Sequence, residues 1–192
     1  MKQLKSIAVF CGSSFGARAE YSSLAEDLGK EIARREIVLI YGGGNRGLMG
    51  TIARTVSLNG GTVIGILPRA MDVPEVRNGS AENEIIIAED MHERKKLMYG
   101  KSDAFIAMPG GIGTIEELSE IYTWRQLGYH EKNIGLLNVE GYWDPFLDML
   151  DKGVKEGFIS PEVRNLLIAE ETPSELIDRL QEESFVIPPK IK

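Results

Sequence analysis

Three glycine clusters, each directly behind an apolar run, are the residues best suited to chemistry: Cys11-Gly12-Ser13-Ser14-Phe15-Gly16, Gly42-Gly43-Gly44-Asn45-Arg46-Gly47 and Pro109-Gly110-Gly111-Ile112-Gly113-Thr114. Glycine lets a backbone approach an anion closely, and a helix that starts at such a loop offers free N–H groups and the positive end of its dipole. Glycine is about 11% of the chain against an ordinary ~7%, and the excess falls in these loops. Three of them behind strands predict a phosphorylated ligand.

The third cluster runs on into Thr114-Ile115-Glu116-Glu117. Spacing alone allows Glu117 two roles. Thr114 can cap the helix with Glu117 closing a capping box, and a carboxylate in the first turn of a phosphate-loop helix also lies beside the sugar that carries the phosphate. A second charged segment, Asp90-Met91-His92-Glu93-Arg94-Lys95-Lys96, follows the fourth apolar run and opens a helix. Arg94 can grip phosphate or carboxylate with its planar fork, while the plain alternative is a solvated helical face with Glu93 paired to a neighbour. His92 is given no catalytic role.

Other motif matches are weaker. Gly42, Gly44 and Gly47 spell G-x-G-x-x-G between strand and helix, but the acidic residue expected about 20 positions on is missing, and the next strand ends at Pro68-Arg69. NAD is therefore disfavoured, with NADP through Arg69 as a remote variant. Gly12-Ser13-Ser14-Phe15-Gly16 matches a nucleophile elbow, with Asp103 and His130 in hydrolase order. No upstream strand supplies the second oxyanion donor, so the match is accidental. Gly100-Lys101-Ser102 lacks the earlier glycine of a P-loop because Lys95 stands there.

The elements that must position these loops are legible as short apolar runs at 7–10, 37–41, 62–67, 84–88, 104–108 and 134–139, alternating with segments of helical period. Continuous apolar runs are the pattern of parallel strands buried on both faces, so the expected fold is a single-domain, Rossmann-like, doubly wound parallel α/β sheet with helices on both faces. Right-handed crossovers then bring every strand's C-terminal end, and all three glycine loops, to one edge. Asp144-Pro145, Ser160-Pro161 and Thr172-Pro173 read as N-cap plus first-turn proline. The domain is expected to span 1–183, with 184–192, including Pro188-Pro189, as a peripheral or partner-packed tail.

Composition limits the partners. The chain has 192 residues, 43% hydrophobic and 27% charged, with 22 Lys and Arg against 29 Asp and Glu for a net charge of -7. That balance disfavours nucleic acid and anionic membrane, so an anionic ligand needs a local site. The lone Cys11 cannot form an internal disulfide, and His92 and His130 cannot make a Cys/His zinc site. The opening Met1-Lys2-Gln3-Leu4-Lys5-Ser6 imitates a signal n-region, yet the apolar run 7–11 is too short for an h-region and reads as a strand. A cytoplasmic protein is expected.

The nonapeptide Pro109-Gly110-Gly111-Ile112-Gly113-Thr114-Ile115-Glu116-Glu117 matches the P-G-G-x-G-T-x-x-E signature of the LOG (LONELY GUY) family of cytokinin riboside 5'-monophosphate phosphoribohydrolases. Tyr41-Gly42-Gly43-Gly44, Gly47-Leu48-Met49-Gly50, Met91-His92-Glu93-Arg94-Lys95, Thr123-Trp124-Arg125-Gln126-Leu127-Gly128 and Asn138-Val139-Glu140-Gly141-Tyr142 resemble the same family, from the first strand to about Leu180. The resemblance implies cleavage of the N-glycosidic bond of adenosine 5'-monophosphates, N6-substituted or plain, with no cofactor. It implies catalytic roles for Arg94 and Glu117, phosphate binding by Gly111, Ile112, Gly113 and Thr114, and substrate contacts by Glu75, Lys95 and Thr123, to which the glycine-loop pattern itself adds Gly12, Ser13, Gly43, Gly44 and Gly110 as expected ligand contacts. It also implies a homodimer or larger homo-oligomer. Ile112 stands where an aromatic residue is frequent, which removes stacking but no backbone contact. Similar proteins have been labelled lysine decarboxylases, yet no lysine here has a recognisable pyridoxal setting. The alternative is a non-catalytic nucleotide or molybdenum-cofactor carrier on the same sheet.

Overall fold

The computed structural model describes residues 3–76 and 81–185. Seven strands, β1 (Ser6–Phe10), β2 (Val38–Tyr41), β3 (Val63–Pro68), β4 (Glu84–Ala88), β5 (Ala104–Ala107), β6 (Ile134–Leu137) and β7 (Leu167–Glu170), pair in parallel in the order β4-β3-β2-β1-β5-β6-β7. The first strand shows why: Ile7 and Val9 enter one hydrophobic cluster, Ala8 and Phe10 the other, and all four are buried. A strand with no polar face must be covered on both sides.

Helices α1 (Ala19–Arg34), α2 (Gly47–Leu58) and α7 (Pro173–Glu182) cover one face through Leu24, Leu28, Ile52 and Leu176. Helices α3 (Met91–Lys101), α4 (Ile112–Leu127), α5 (Asp144–Lys155) and the single turn α6 (Pro161–Arg164) cover the other through Met98, Leu118, Leu150 and Val163. The strand order reverses at β1: the chain builds outward to β4, then returns to lay β5 on the opposite side of β1. That reversal opens a crevice between the loops after β1 and β5, the ligand site of this architecture.

Six strands match the expected runs to within two residues. The seventh, β7, is an addition: its Leu-Ile-Ala-Glu follows a helix of only four residues, and the apolar run 166–168 blends with the helical pattern on either side. The sixth strand stops at Leu137 because Glu140 (φ 54°) and Gly141 (φ 64°) turn left-handed and carry the chain off the sheet. Ser160 and Thr172 cap their helices as expected, accepting from the Val163 and Glu175 N–H groups. Asp144 does not. Trp143 occupies the cap position, and the Asp144 carboxylate instead accepts from Asn138 Nδ2 at 2.7 Å while Asn138 Oδ1 accepts the Trp143 N–H at 2.7 Å. Of the expected tail, Phe185 packs against both hydrophobic clusters and lies 5.3 Å from the Arg125 guanidinium; residues 186–192 lie outside the described residues.

Candidate active site

The crevice at the reversal holds a cleft of about 360 Å³, within the range of small-ligand pockets. The first and third glycine loops form its floor, tied together where the Gly12 N–H donates to the Pro109 carbonyl at 3.0 Å. Glycine is required at Gly110, since a Cβ there would overlap Thr114 and press on the Gly12 nitrogen. At Gly111 and Gly113 a Cβ would meet nothing within 4 Å, so those positions leave backbone open to the cleft.

Helix α4 starts at this floor with Gly111 at its cap position and no side chain capping it. The capping-box reading is therefore corrected. Thr114 is the third helical residue and buried, and Glu117 is turned to a different partner. An uncapped first turn leaves the N–H groups of residues 112–114 and the positive helix end facing the cleft, which suits a phosphate.

Glu117 and Arg94 meet from two helices. Asp90 accepts from the Glu93 N–H at 2.8 Å, and Glu93 in turn accepts the Glu89 N–H at 2.6 Å, which fixes the first turn of α3, the turn that leads into Arg94. Arg94 Nε donates to the Ile66 carbonyl at 3.1 Å and Nη1 donates to Glu117 Oε1 at 2.8 Å. Both side chains are largely buried, at 9% and 12% exposure. Burial pushes the Glu117 carboxyl above its ordinary value, and Arg94 pulls it part of the way back. Such a carboxylate is a stronger base than one in water and needs no metal to hold it in place. Cys11 also lines the cleft, but burial and then Glu117 push its thiol far up, so it stays protonated and is no nucleophile.

The middle glycine loop does something other than expected. It adds Gly42 and Gly44 to the lining, but the Leu48 and Met49 N–H groups at the start of α2 donate to the Gly12 carbonyl at 3.1 and 3.3 Å. With its first turn engaged by protein, α2 offers no free anion site, and the dinucleotide reading loses its physical basis. Gly43 has φ +74° and its Cβ would overlap Leu67, so it is a turn residue rather than a cleft residue. The hydrolase reading fails by distance along the sheet. Asp103 accepts the Lys5 and Ser6 N–H groups at 2.9 and 3.2 Å, at the end of β1 opposite Ser13, and His130 lies beside the Ile121 carbonyl at 2.9 Å.

Of the residues singled out from sequence, Gly12, Ser13, Gly44, Arg94, Gly111, Ile112, Gly113, Thr114 and Glu117 line the cleft together. Five others do not: the turn residue Gly43, Gly110, packed under the loop against Thr114, and Lys95, Thr123 and Glu75. Lys95 is buried between two carboxylates, 2.5 Å from Glu116 and 3.0 Å from Glu120. Thr123 is exposed further along α4, donating to the Ser119 carbonyl, and Glu75 is exposed beside Val76, which does line the cleft. Sequence reasoning missed Met49, Met71 and Met91 as lining residues, while Gly42 lay in a loop it had singled out. Met91 could have been found from its place at the start of the basic helix, whereas nothing local marks Met71.

Gly42 carries a testable consequence. A Cβ there would overlap Arg94 Nη2, the far end of a flexible side chain, and the residue's backbone does not itself demand glycine. Gly42→Ala is expected to push the guanidinium off Glu117 and lower kcat/KM by about 10²-fold, the effect of a displacement near 1 Å. Because Arg94 can swing, stability should change by about 1 kcal/mol or less. Steady-state kinetics beside a melting curve check both halves.

Among the described residues no group of three or more His, Cys, Asp or Glu side chains could hold a metal ion, and no helix is long and apolar enough to cross a membrane. A family model described as "possible lysine decarboxylase" matches residues 49–180. A cytokinin riboside 5'-monophosphate phosphoribohydrolase of Arabidopsis thaliana is 48% identical over 94% of this chain and 83% of its own. A rice protein, Oryza sativa subsp. japonica, named "probable cytokinin riboside 5'-monophosphate phosphoribohydrolase", is 47% identical over 95% of this chain and 74% of its own. The molybdenum cofactor carrier protein of Chlamydomonas reinhardtii superposes with a TM-score of 0.69 at 22% identity, covering 93% of this chain and 98% of that one, a likeness of fold alone.

Proposed function

We propose a function from one premise: the chain belongs to the LOG family of cytokinin riboside 5'-monophosphate phosphoribohydrolases. It is an enzyme that hydrolyses the N-glycosidic bond of adenosine 5'-monophosphates, N6-substituted or plain, to free base and ribose 5-phosphate. The observation that carries this reading is the Arg94–Glu117 pair standing beside an uncapped helix start in one cleft. A carrier needs the anion site but has no use for a buried, raised carboxylate held against an arginine.

The 5'-phosphate binds the N–H groups at the start of α4 and fixes the ribose over Glu117, so orientation precedes chemistry. As the C1'–N9 bond lengthens, its electron pair moves to N9 and positive charge builds on C1' and the ring oxygen. Glu117 stabilises that charge and takes a proton from the water that attacks C1'. N9 or another base nitrogen takes a proton from solvent as the base departs, and Glu117 returns its proton to solvent, so one water is consumed per bond cleaved. Arg94 favours the ionised form of Glu117 and keeps it aimed. No redox change occurs and no cofactor enters the balance.

The assembly proposed is a homodimer or larger. Thr123 lies on the exposed side of α4, outside this chain's own cleft, and Ile112 (83% exposed) and Met91 (44%) leave the rim apolar and open. A species of one chain's mass in sedimentation would contradict it. A reducing cytoplasm is the proposed setting, consistent with a single buried cysteine, and fractionation checks it.

The activity is tested by quantifying both products from isopentenyladenosine 5'-monophosphate. Free base and ribose 5-phosphate in equal amounts are expected. A protein that purifies with a bound pterin or nucleotide and releases no base would overturn the reading in favour of a carrier.

A further inference from the structure

The anion-binding floor contains the dipeptide Gly110-Gly111, the most conformationally free pair the chain could place there. Nothing in either residue decides which way the peptide plane between them faces. The choice matters, because in a trans peptide the C=O and the N–H point in opposite directions. One orientation offers the anion the Gly111 N–H, and the other offers it a carbonyl oxygen.

A residue outside the cleft makes the choice. The Tyr142 hydroxyl donates to the Gly110 carbonyl, across 32 positions of sequence. With that oxygen held on the Tyr142 side, the Gly111 N–H is left on the opposite side of the peptide plane, and Gly111 lines the cleft. The preceding carbonyl, of Pro109, is likewise held, by the Gly12 N–H at 3.0 Å.

Tyr142 is itself well held. Its ring packs edge-on against Tyr21 at 5.8 Å and against Trp143 at 5.3 Å, and its N–H donates to the Val139 carbonyl at 3.1 Å. The two residues before it, Glu140 and Gly141, are left-handed, and Glu140 is tied to Arg18 at 2.7 Å.

We infer that Tyr142 is a positioning residue whose hydroxyl fixes the polarity of the phosphate loop, holding the Gly110–Gly111 peptide with its N–H toward the anion. The inference rests on the proposed phosphate site. It assigns Tyr142 to substrate affinity and not to the bond-breaking step.

Tyr142→Phe keeps the ring packing and deletes the hydroxyl. Titration calorimetry with ribose 5-phosphate, which needs no turnover, is expected to show Kd raised about tenfold, the usual effect of losing one donor to a charged group. KM for the nucleoside monophosphate should rise by a similar factor, with kcat within about twofold. Tyr21→Phe removes a hydroxyl from the neighbouring ring without touching the loop, and should leave the Kd unchanged. A Tyr142→Phe protein that binds ribose 5-phosphate as tightly as the parent, or that loses only melting temperature, overturns the inference and leaves the proposed function standing. A parent protein that binds no ribose 5-phosphate defeats the phosphate site itself, and the inference with it.

Discussion

Replacing Glu117 with glutamine is expected to lower kcat by about 10³-fold or more, the scale of losing a positioned base together with its charge stabilisation. The fold should hardly notice. Burial raises the folded-state pKa of Glu117 above its unfolded value despite Arg94, so the folded chain keeps a proton that the unfolded chain gives up. Stability is therefore lost as pH rises through that raised value, and once ionised the group is a net burden on folding. Glutamine removes the burden and keeps an oxygen to accept from Arg94 Nη1, at the cost of leaving the arginine without a counter-charge. The opposing effects should leave Tm within about 3 °C of the parent, roughly 1 kcal/mol in a chain of this size. A variant that melts far lower and keeps its turnover would make Glu117 structural.

Arg94→Ala is expected to fail in the opposite manner, in stability as well as activity. It strands the Glu117 carboxylate, 12% exposed, with its main cationic partner gone. Removing one partner of a buried pair costs about 3–5 kcal/mol, so Tm should fall on the order of 10 °C. Activity should fall by about 10²- to 10³-fold. The pH profile separates this from simple unfolding. Without Arg94, burial and Glu116 act upward on Glu117 against only the pull of Lys95, so the carboxyl stays protonated to higher pH. The acid limb of kcat/KM, measured at 20 °C where the variant is folded, should move to higher pH than in the parent. An unshifted limb would mean that Arg94 does not govern the ionisation of Glu117.

Much of this was legible in the chain. Continuous apolar runs gave a parallel sheet, and the glycine loops behind β1 and β5 fell on the two strands that flank the reversal. Arg94 and Glu117, 23 positions apart, were both marked by charge at helix starts. What spacing could not decide was direction. Thr114-x-x-Glu117 permits a capping box as well as a catalytic carboxylate, and only the packing of α3 against α4 turns Glu117 to Arg94. Lys95, next to Arg94 in sequence, faces Glu116 and Glu120 because successive helical residues diverge by about 100°. The middle loop looked as competent for phosphate as the other two. That its helix spends its free N–H groups on the Gly12 carbonyl is a contact between segments more than 30 residues apart, which no local pattern encodes. The strand β7 was hidden for a simpler reason, four apolar-rich residues between two helical stretches.

The central claim is that the uncapped start of α4 anchors a 5'-phosphate so that Glu117 can act on the glycosidic bond. Its most direct test is base release, followed by chromatography, from AMP and isopentenyladenosine 5'-monophosphate beside the two nucleosides without phosphate. Base from the monophosphates and none above background from the nucleosides is the expected result. Nucleosides cleaved as fast as their monophosphates would contradict the anchor, and no release from any of the four would contradict the enzyme.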